Sequence, residues 1–354
     1  MNFTDIFTTE AIAARWTEAA TTRDAYLGEV LFPAQKKNGL DLSFLKGSKG
    51  LPVALMPSAF DAMPTFRDRP GFEITETQMP FYREGFKIKE KDRQELMQVQ
   101  ESNSRFARPI IARIFNDTDE LIEGARVSAE QSRMSLLFPE EGNAGITIAA
   151  NGVKYTYNYD PDGTWKTNNY FVLTGDSKWN QKSTANPFKD IDTVKQAINS
   201  RTGARPTIAV MNSVTFNMLL EMNVIYNRYI ARAGVSMTYL TKPEVRKVVE
   251  DTAEIRIMVY DKMYRDQNKT AHKFVPDGYV ALIPEGALGN TWYGTTPEEA
   301  DLMVNPKADV SIVDTGIAIT REVTVMPVNT NIYASQICLP SYEQMDDVAL
   351  LKVV

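Results

Sequence analysis

Apolar positions recur at steps of three and four in several parts of the chain. Ile12, Trp16 and Ala19 mark an Ala-rich stretch from Thr9 to Thr22 as a helix, which Thr8 or Thr9 can cap. A second helical run is expected from about Glu90 to Phe106, with Leu96, Val99 and Phe106 as its apolar points, ending before Pro109. The third is the cleanest. Leu121, Ile122, Ala125, Ala129, Ser132 and Leu136 form one stripe, Asp117 or Thr118 stands ready as the cap, and Pro139 closes the run. Asp119 and Glu120 also suit the positive helix start. At 1.5 Å per residue, Thr118 to Phe138 is a rod of about 30 Å.

No helical period is found from Leu40 to Phe86. Pro52, Pro57, Pro64, Pro70 and Pro80 recur, and Lys46-Gly47-Ser48-Lys49-Gly50 signals a loop. Extended runs at Gly50 to Met56 and Phe72 to Tyr82 make the whole a long irregular hairpin. With arms of about 15 residues it reaches roughly 50 Å. A two-stranded ribbon of that length is marginal alone in water, so it must lie on its own domain or on a neighbouring subunit.

Farther along, Gly145 to Leu173 alternates like strands, with Asp160-Pro161-Asp162-Gly163 as the expected hairpin turn. From Asn186 helices alternate with strands. Asn186 caps a helix that opens at Pro187 and stops at Gly203; Thr207 to Met211 is a buried strand; Ser213 to Leu220 is a helix. Thr241 caps a further helix carrying Val245, Val248 and Val249, and strands follow at Ile255 to Tyr260 and Gly278 to Ile283. This block is an α/β domain. Strands at Gly316 to Met326 and Ile332 to Leu339 are expected to return to the first domain.

Composition narrows the function more by exclusion than by suggestion. The 354 residues suit about two domains. Hydrophobic content of 43% and charged content of 24% are ordinary globular values. A net charge of −6 argues against a basic nucleic-acid surface. With one His and one Cys, a Ser-His-Asp triad would need His272, and soft metal ligands are limited to His272 and Cys338. No intrachain disulfide is possible. No run of ~20 apolar residues suggests a membrane span, and Met1 to Ala14 lacks the basic start of a signal peptide. A soluble intracellular chain without cofactor or metal is the expectation.

Candidate motifs then fall away. Ile312-Val313-Asp314-Thr315-Gly316 has the apolar-apolar-Asp-Thr-Gly form of an aspartic protease, whose carboxylate must share a proton with a second one. Here Ile317 follows the glycine and no second copy exists, so only a symmetric dimer could complete it; the same residues equally make a strand entering a turn. His272 sits in a polar turn with no nucleophile nearby in sequence, and Cys338 sits in an apolar strand. Gly47-Ser48-Lys49-Gly50 and Glu285-Gly286-Ala287-Leu288-Gly289 lack phosphate-loop spacing. The basic run Arg83, Lys87, Lys89, Lys91 and Arg93 is interrupted by Glu84, Glu90 and Asp92 and forms a mixed-charge face. No catalytic residue is assigned.

Several segments, in order, carry a resemblance. Leu27-Gly28-Glu29-Val30-Leu31-Phe32-Pro33, then Met79-Pro80-Phe81-Tyr82-Arg83-Glu84 running into Ile88-Lys89-Glu90, resemble the major capsid protein E family of lambda-like tailed phages. The helix from Thr118, Phe274-Val275-Pro276-Asp277-Gly278-Tyr279-Val280-Ala281-Leu282 and Gly289-Asn290-Thr291-Trp292-Tyr293-Gly294 continue the likeness. The resemblance implies an α+β chain with the capsid fold shared by tailed phages and herpesviruses. Its parts would be an N-terminal arm at 1–46, a long hairpin called the E-loop at 47–86, and a peripheral domain at 87–185 with a spine helix at about 118–138. An axial α/β domain would occupy 186–306, and strands at 307–354 would return to the peripheral domain. Phe32, Leu51, Met56, Phe60, Phe66, Phe72, Phe81 and Tyr82 are the candidate inter-subunit contacts.

The implied function is a major capsid subunit. It would assemble with itself in hexamers and pentamers, around a scaffold protein, with a portal and, where one exists, a decoration protein, in the host cytoplasm. The icosahedral virion shell would enclose double-stranded DNA without sequence-specific binding, and no membrane is involved. An encapsulin-like compartment is the alternative shell, and a dimeric protease using Asp314 the remote one. Covalent Lys–Asn crosslinking, as in one variation of the fold, would draw on Lys46, Lys49 or Lys87.

Overall fold

A computed structural model of the chain describes residues 8–19, 23–46, 73–90, 94, 107–150, 153–234, 240–266, 268–304, 309–325 and 328–354. Helix α1 (Thr9–Ala19) and the short α2 (Leu27–Leu31) lead into β1 (Ala34–Lys36), β2 (Asp41–Lys46), β3 (Glu73–Gln78) and β4 (Phe81–Ile88). The long α3 (Ala107–Leu137) precedes β5 (Gly145–Ala150), β6 (Val153–Asn158), α4 (Thr164–Asn169) and β7 (Tyr170–Val172). Next come α5 (Pro187–Thr202), β8 (Ile208–Met211), α6 (Ser213–Leu220), α7 (Asn223–Ala233) and α8 (Lys242–Ala253). Strands β9 (Arg256–Val259), β10 (Met263–Arg265), β11 (Ala271–Lys273), β12 (Tyr279–Ile283) and β13 (Asn290–Tyr293) lead to α9 (Pro297–Val304). The chain ends with β14 (Val310–Val313), β15 (Ile317–Val325), β16 (Val328–Ser341) and β17 (Ala349–Lys352).

Contacts divide the chain into two units, each assembled from separated segments. The first holds 1–43, 76–133 and 289–341. Its sheet runs β14, β15, β16, with β4 antiparallel to β16 over Phe81–Ile88, while the last residues of β16 pair with β13 and through it with β1. One face of this sheet is the core. Ile317, Ile319 and Ile332 pack there with Ile114 and Ile122 of α3 and with Ile12 and Trp16 of α1. The second unit holds 44–75, 134–288 and 342–354, around a mixed sheet in the order β7, β17, β12, β8, β9. Its apolar core joins α5, α6 and α8 to the strands through Ile191, Ile198, Phe216, Val245, Val249 and Leu282.

Helix ends in the second unit follow local chemistry. Asn186 Oδ1 accepts the Lys189 N–H at 3.2 Å, Pro187 fills the first helical position, and Gly203 ends α5 at φ 75°. Thr241 and Glu244 form a capping box at α8. The other end of α8 is held by Lys195, only 3% exposed, whose Nζ donates to the Ala253 and Glu254 carbonyls at 2.7 and 3.1 Å. Burial pulls the pKa of that ammonium down.

Several expectations are corrected. Helix α3 begins well before Thr118 and contains Pro109; its described 31 residues give about 46 Å of rod. Thr118 is no cap, because it is buried and its hydroxyl donates back to the Ile114 carbonyl at 3.0 Å inside the helix. Asp160-Pro161-Asp162-Gly163 is a turn, but it opens α4 rather than a hairpin. Both Asp160 carboxylate oxygens accept backbone N–H groups, from Trp165 and Lys166, each at 2.9 Å. His272 lies in the ribbon strand β11, stacked on Tyr264, not in a solvated turn. The helix expected at Glu90 to Phe106 lies almost entirely outside the described residues.

The tail divides. Strands β15 and β16 belong to the first unit's sheet, whereas β17 pairs with β12 and β7 in the second. Residues 307–354 therefore do not form a single return.

Candidate assembly elements

Segment 26–37 of the first unit is held by a buried polar network. Glu130 and Arg133 stand one turn apart on α3 and are 0% and 2% exposed. Glu130 Oε1 accepts the Gly28 N–H at 3.0 Å, and Arg133 Nη1 approaches Glu130 Oε2 at 3.3 Å. The other Arg133 donors reach Thr291 Oγ1 at 2.8 Å and the Tyr293 hydroxyl at 3.1 Å. Thr291 passes the chain on by donating to the Phe32 carbonyl at 2.8 Å. Gly28 is obligatory here: a Cβ would lie 2.3 Å from Glu130 Oε2 and 2.7 Å from Arg133 Cδ. That places the Leu27-Gly28-Glu29 segment against the helix.

One turn earlier on α3, Arg126 clasps Glu29 at 2.9 and 3.0 Å and Glu123 at 3.1 Å, while the Tyr26 hydroxyl donates to Glu123 at 2.5 Å. Burial works against the Arg126 charge, but Glu29 and Glu123 more than reverse it, so its pKa is raised. Burial, then the bond to Glu123, raises Tyr26 as well.

Helix α1 is tied down independently. Thr8 caps it, Thr9 donates to Asp309 Oδ1 at 2.8 Å through its hydroxyl, and Arg15 reaches Asp119 at 3.1 Å. The Trp16 indole N–H donates to Asp314 Oδ2 at 2.9 Å. Asp314 itself sits at φ 50° in the turn joining β14 to β15, with Gly316 at φ 87°. The Asp-Thr-Gly motif is therefore a hairpin turn whose carboxylate orients a buried tryptophan.

Among the described residues strands β2 and β3 pair only with each other, and they flank residues 47–72. Their root is narrow. The Met79 N–H donates to the Leu40 carbonyl at 3.0 Å, and a Cβ on Gly294 would fall 2.8 Å from the Gly39 carbonyl and 2.9 Å from Met79 Cε. The acidic first turn of α9 grips both sides of this root. Glu299 takes Lys36 at 2.6 Å, just ahead of β2, and Glu298 takes Arg83 on β4 together with the Ser335 hydroxyl at 2.9 Å.

Of the expected contact residues, Leu51, Met56, Phe60, Phe66 and Phe72 lie outside the described residues. Phe32 is fully buried in its own subunit. Phe81 lies under the Arg83 guanidinium at 4.8 Å, and Tyr82 packs on Ala129, Tyr293 and Cys338. Among the described residues the most exposed large apolar side chains are others, Val30 at 65% and Val304 at 84%. Sequence reasoning passed over them because single apolar residues on a helix stand out from no pattern. The network pair Glu130 and Arg133 was also missed, although both border the apolar stripe of α3. A charged pair on such a stripe was the available signal.

Among the described residues no group of three His, Cys, Asp or Glu side chains is placed to hold a metal, and no helix is long and apolar enough to cross a membrane. Cys338 is buried on β16, and burial pushes its thiol up to about 12. The folded chain is expected to leave a disulfide reagent unreacted at pH 8 and to react with one thiol after denaturation; a fast native reaction would show the site to be open.

Comparison with known proteins decides the family. Residues 8–353 match the family model described as phage major capsid protein E. The chain belongs to that family. No curated protein matches it. The fold is similar to that of a putative prophage capsid protein of E. coli CFT073, at 12% identity over 98% of this chain and 99% of that one, with a TM-score of 0.59. A phage-related protein of Bordetella bronchiseptica RB50 gives 14% identity, 96% coverage of both chains and a TM-score of 0.55. The capsid of cyanophage A-1(L) gives 8% identity, 93% and 92% coverage, and 0.52. The capsid subunit is thus an α+β chain of the phage capsid fold. Its product is the icosahedral shell of the virion.

Proposed function

We propose that this major capsid subunit works through the segment its β2–β3 root presents, with 47–86 as the E-loop, α3 as the spine helix and about 186–306 as the axial domain. The observation that carries the reading is the root itself. Two strands that among the described residues pair only with each other are marginal in water, yet their base is clamped by Gly294, Lys36–Glu299 and Arg83–Glu298. A two-stranded ribbon so firmly placed at its base suits a neighbouring subunit as the support for what it presents.

Hexamers and pentamers built this way close around a scaffold protein and a portal in the host cytoplasm, take a decoration protein where one exists, and enclose double-stranded DNA. The role is structural, without catalysis. A wall carrying a net charge of −6 per subunit contains DNA rather than binding it tightly.

Electron microscopy of the purified chain, alone and with a candidate scaffold, tests this. Closed shells, or rings and spirals that scaffold converts to shells, are the expected outcome. A compact monomer or dimer under both conditions would overturn it.

A further inference from the structure

The turn at the foot of β2 carries chemistry that assembly does not use. Lys37, Asn38, Gly39 and Leu40 join β1 to β2, and both ends of this turn are fixed. The Lys37 N–H donates to the Tyr293 carbonyl at 2.8 Å, and the Leu40 carbonyl accepts the Met79 N–H at 3.0 Å. Between these anchors Asn38 and Gly39 are exposed, and neither makes a hydrogen bond among the described residues. Gly39 holds φ at 91°, and a Cβ built on it would meet nothing within 4 Å.

An asparagine before a glycine differs chemically from the rest, because no Cβ on the next residue obstructs attack by its backbone nitrogen. The sequence has two such pairs, Asn38-Gly39 and Asn151-Gly152, and the second lies outside the described residues. Other asparagine amides are tied down. Asn212 is 1% exposed and bonded to Val275, Asp277 and Thr215. Asn169 donates to the Val348 carbonyl and accepts from Arg201.

We propose that Asn38 is a self-modification site. The Gly39 nitrogen attacks Asn38 Cγ, so that a C–N bond forms and the Cγ–Nδ2 bond breaks. Nδ2 leaves as ammonia, with the proton that the Gly39 N–H gives up. Water then opens the five-membered imide at one of its two carbonyls. Opening at Cγ leaves Asp; opening at the main-chain carbonyl leaves isoaspartate, whose backbone runs through Cβ and Cγ and is one atom longer. The chemistry needs no second subunit, so it stands whether or not the chain assembles as read above.

The anchors set the consequence. An additional chain atom has to fit between the Lys37 N–H and the Leu40 carbonyl. The Gly39 carbonyl leaves it no room on one side, since a Cβ on Gly294 would already fall 2.8 Å from that oxygen. The isoaspartyl chain gives up the bond from Met79 to Leu40, and the base of the β2–β3 ribbon loosens.

The test ages the folded chain and the urea-denatured chain side by side at pH 8 and follows tryptic peptides by mass. Cleavage after Lys37 and Lys46 isolates Asn38 from Asn151. Asn38 in the folded chain should convert within about tenfold of the denatured rate, because an exposed turn opens at little cost. Two products of equal mass, Asp and isoaspartate, should separate on chromatography, and Asn38→Gln should stay unconverted over the same time. Hydrogen exchange then reads the root. Aged wild type should show a fast-exchanging Met79 amide in proportion to its isoaspartate, whereas fresh Asn38→Asp, with the charge but not the longer chain, should not. An intact Asn38 in the folded chain, while the denatured chain converts, would overturn the site. Conversion with unchanged protection at Met79 would overturn its effect on the root.

Discussion

Replacing Arg133 with Met is expected to destabilise the first unit by about 3–5 kcal/mol. Methionine keeps most of the side-chain volume, so the loss comes from charge rather than packing. Glu130, 0% exposed, would keep the Gly28 N–H but lose the Arg133 guanidinium beside it. Thr291 and Tyr293 would each lose a donor as well. The double variant Glu130→Gln with Arg133→Met is expected to be more stable than Arg133→Met alone, since a neutral amide still accepts from Gly28 while no buried charge remains. Urea unfolding of the isolated subunit, followed through Trp16 and Trp292 fluorescence, measures both. A loss under 1 kcal/mol for the single variant would mean that the pair is not what holds Tyr26–Phe32 on α3.

That network also shows where sequence reading stops. Helix ends were legible wherever one residue acts on its own backbone: Asn186, Pro187 and Gly203 bound α5, and Thr241 with Glu244 opens α8. The same logic misplaced the start of α3, because Asn116-Asp117-Thr118-Asp119 has the composition of a cap. Inside a helix the Thr118 hydroxyl simply bonds one turn back, and tertiary contacts of Ile114 and Ile122 carry the helix through. Gly28 could be seen as part of a familiar segment, but its physical reason lies about a hundred residues away in Glu130.

The candidate contacts divide in the same way. An aromatic side chain is an equally good anchor for a neighbour and for its own core, and only the fold tells which. Phe32 went to the core because Thr291 and β13 lie alongside its backbone. Rows across the sheet had no sequence signature at all: only strand register makes Gly85, Thr320 and Tyr333 neighbours.

The largest effect is expected from removing six residues. Ending the chain at Val348 deletes β17, an inner strand of the second unit's sheet, between β7 and β12. Ala349, Leu350, Leu351 and Val353 are all at most 1% exposed. Losing their burial costs roughly 6–8 kcal/mol, against a typical domain stability of about 5–15 kcal/mol. The ladders to Tyr279–Leu282 and Tyr170–Val172 go too, as does the bond from the Trp179 N–H to the Val353 carbonyl at 2.8 Å. Hydrogen exchange should then find the amides of Ile208–Met211 and Tyr279–Ile283 unprotected. Should the truncated chain prove insoluble, Leu351→Ala supplies a graded version, with an expected loss of about 2–5 kcal/mol. Wild-type protection in the truncated chain would mean that β12 stands without its neighbour. The tail was expected to return whole to the first unit because β15 and β16 alternate clearly, whereas the short buried run Ala349-Leu350-Leu351 carries no period of its own. Its place is fixed by the gap between β12 and β7, and the second unit is expected not to fold without it.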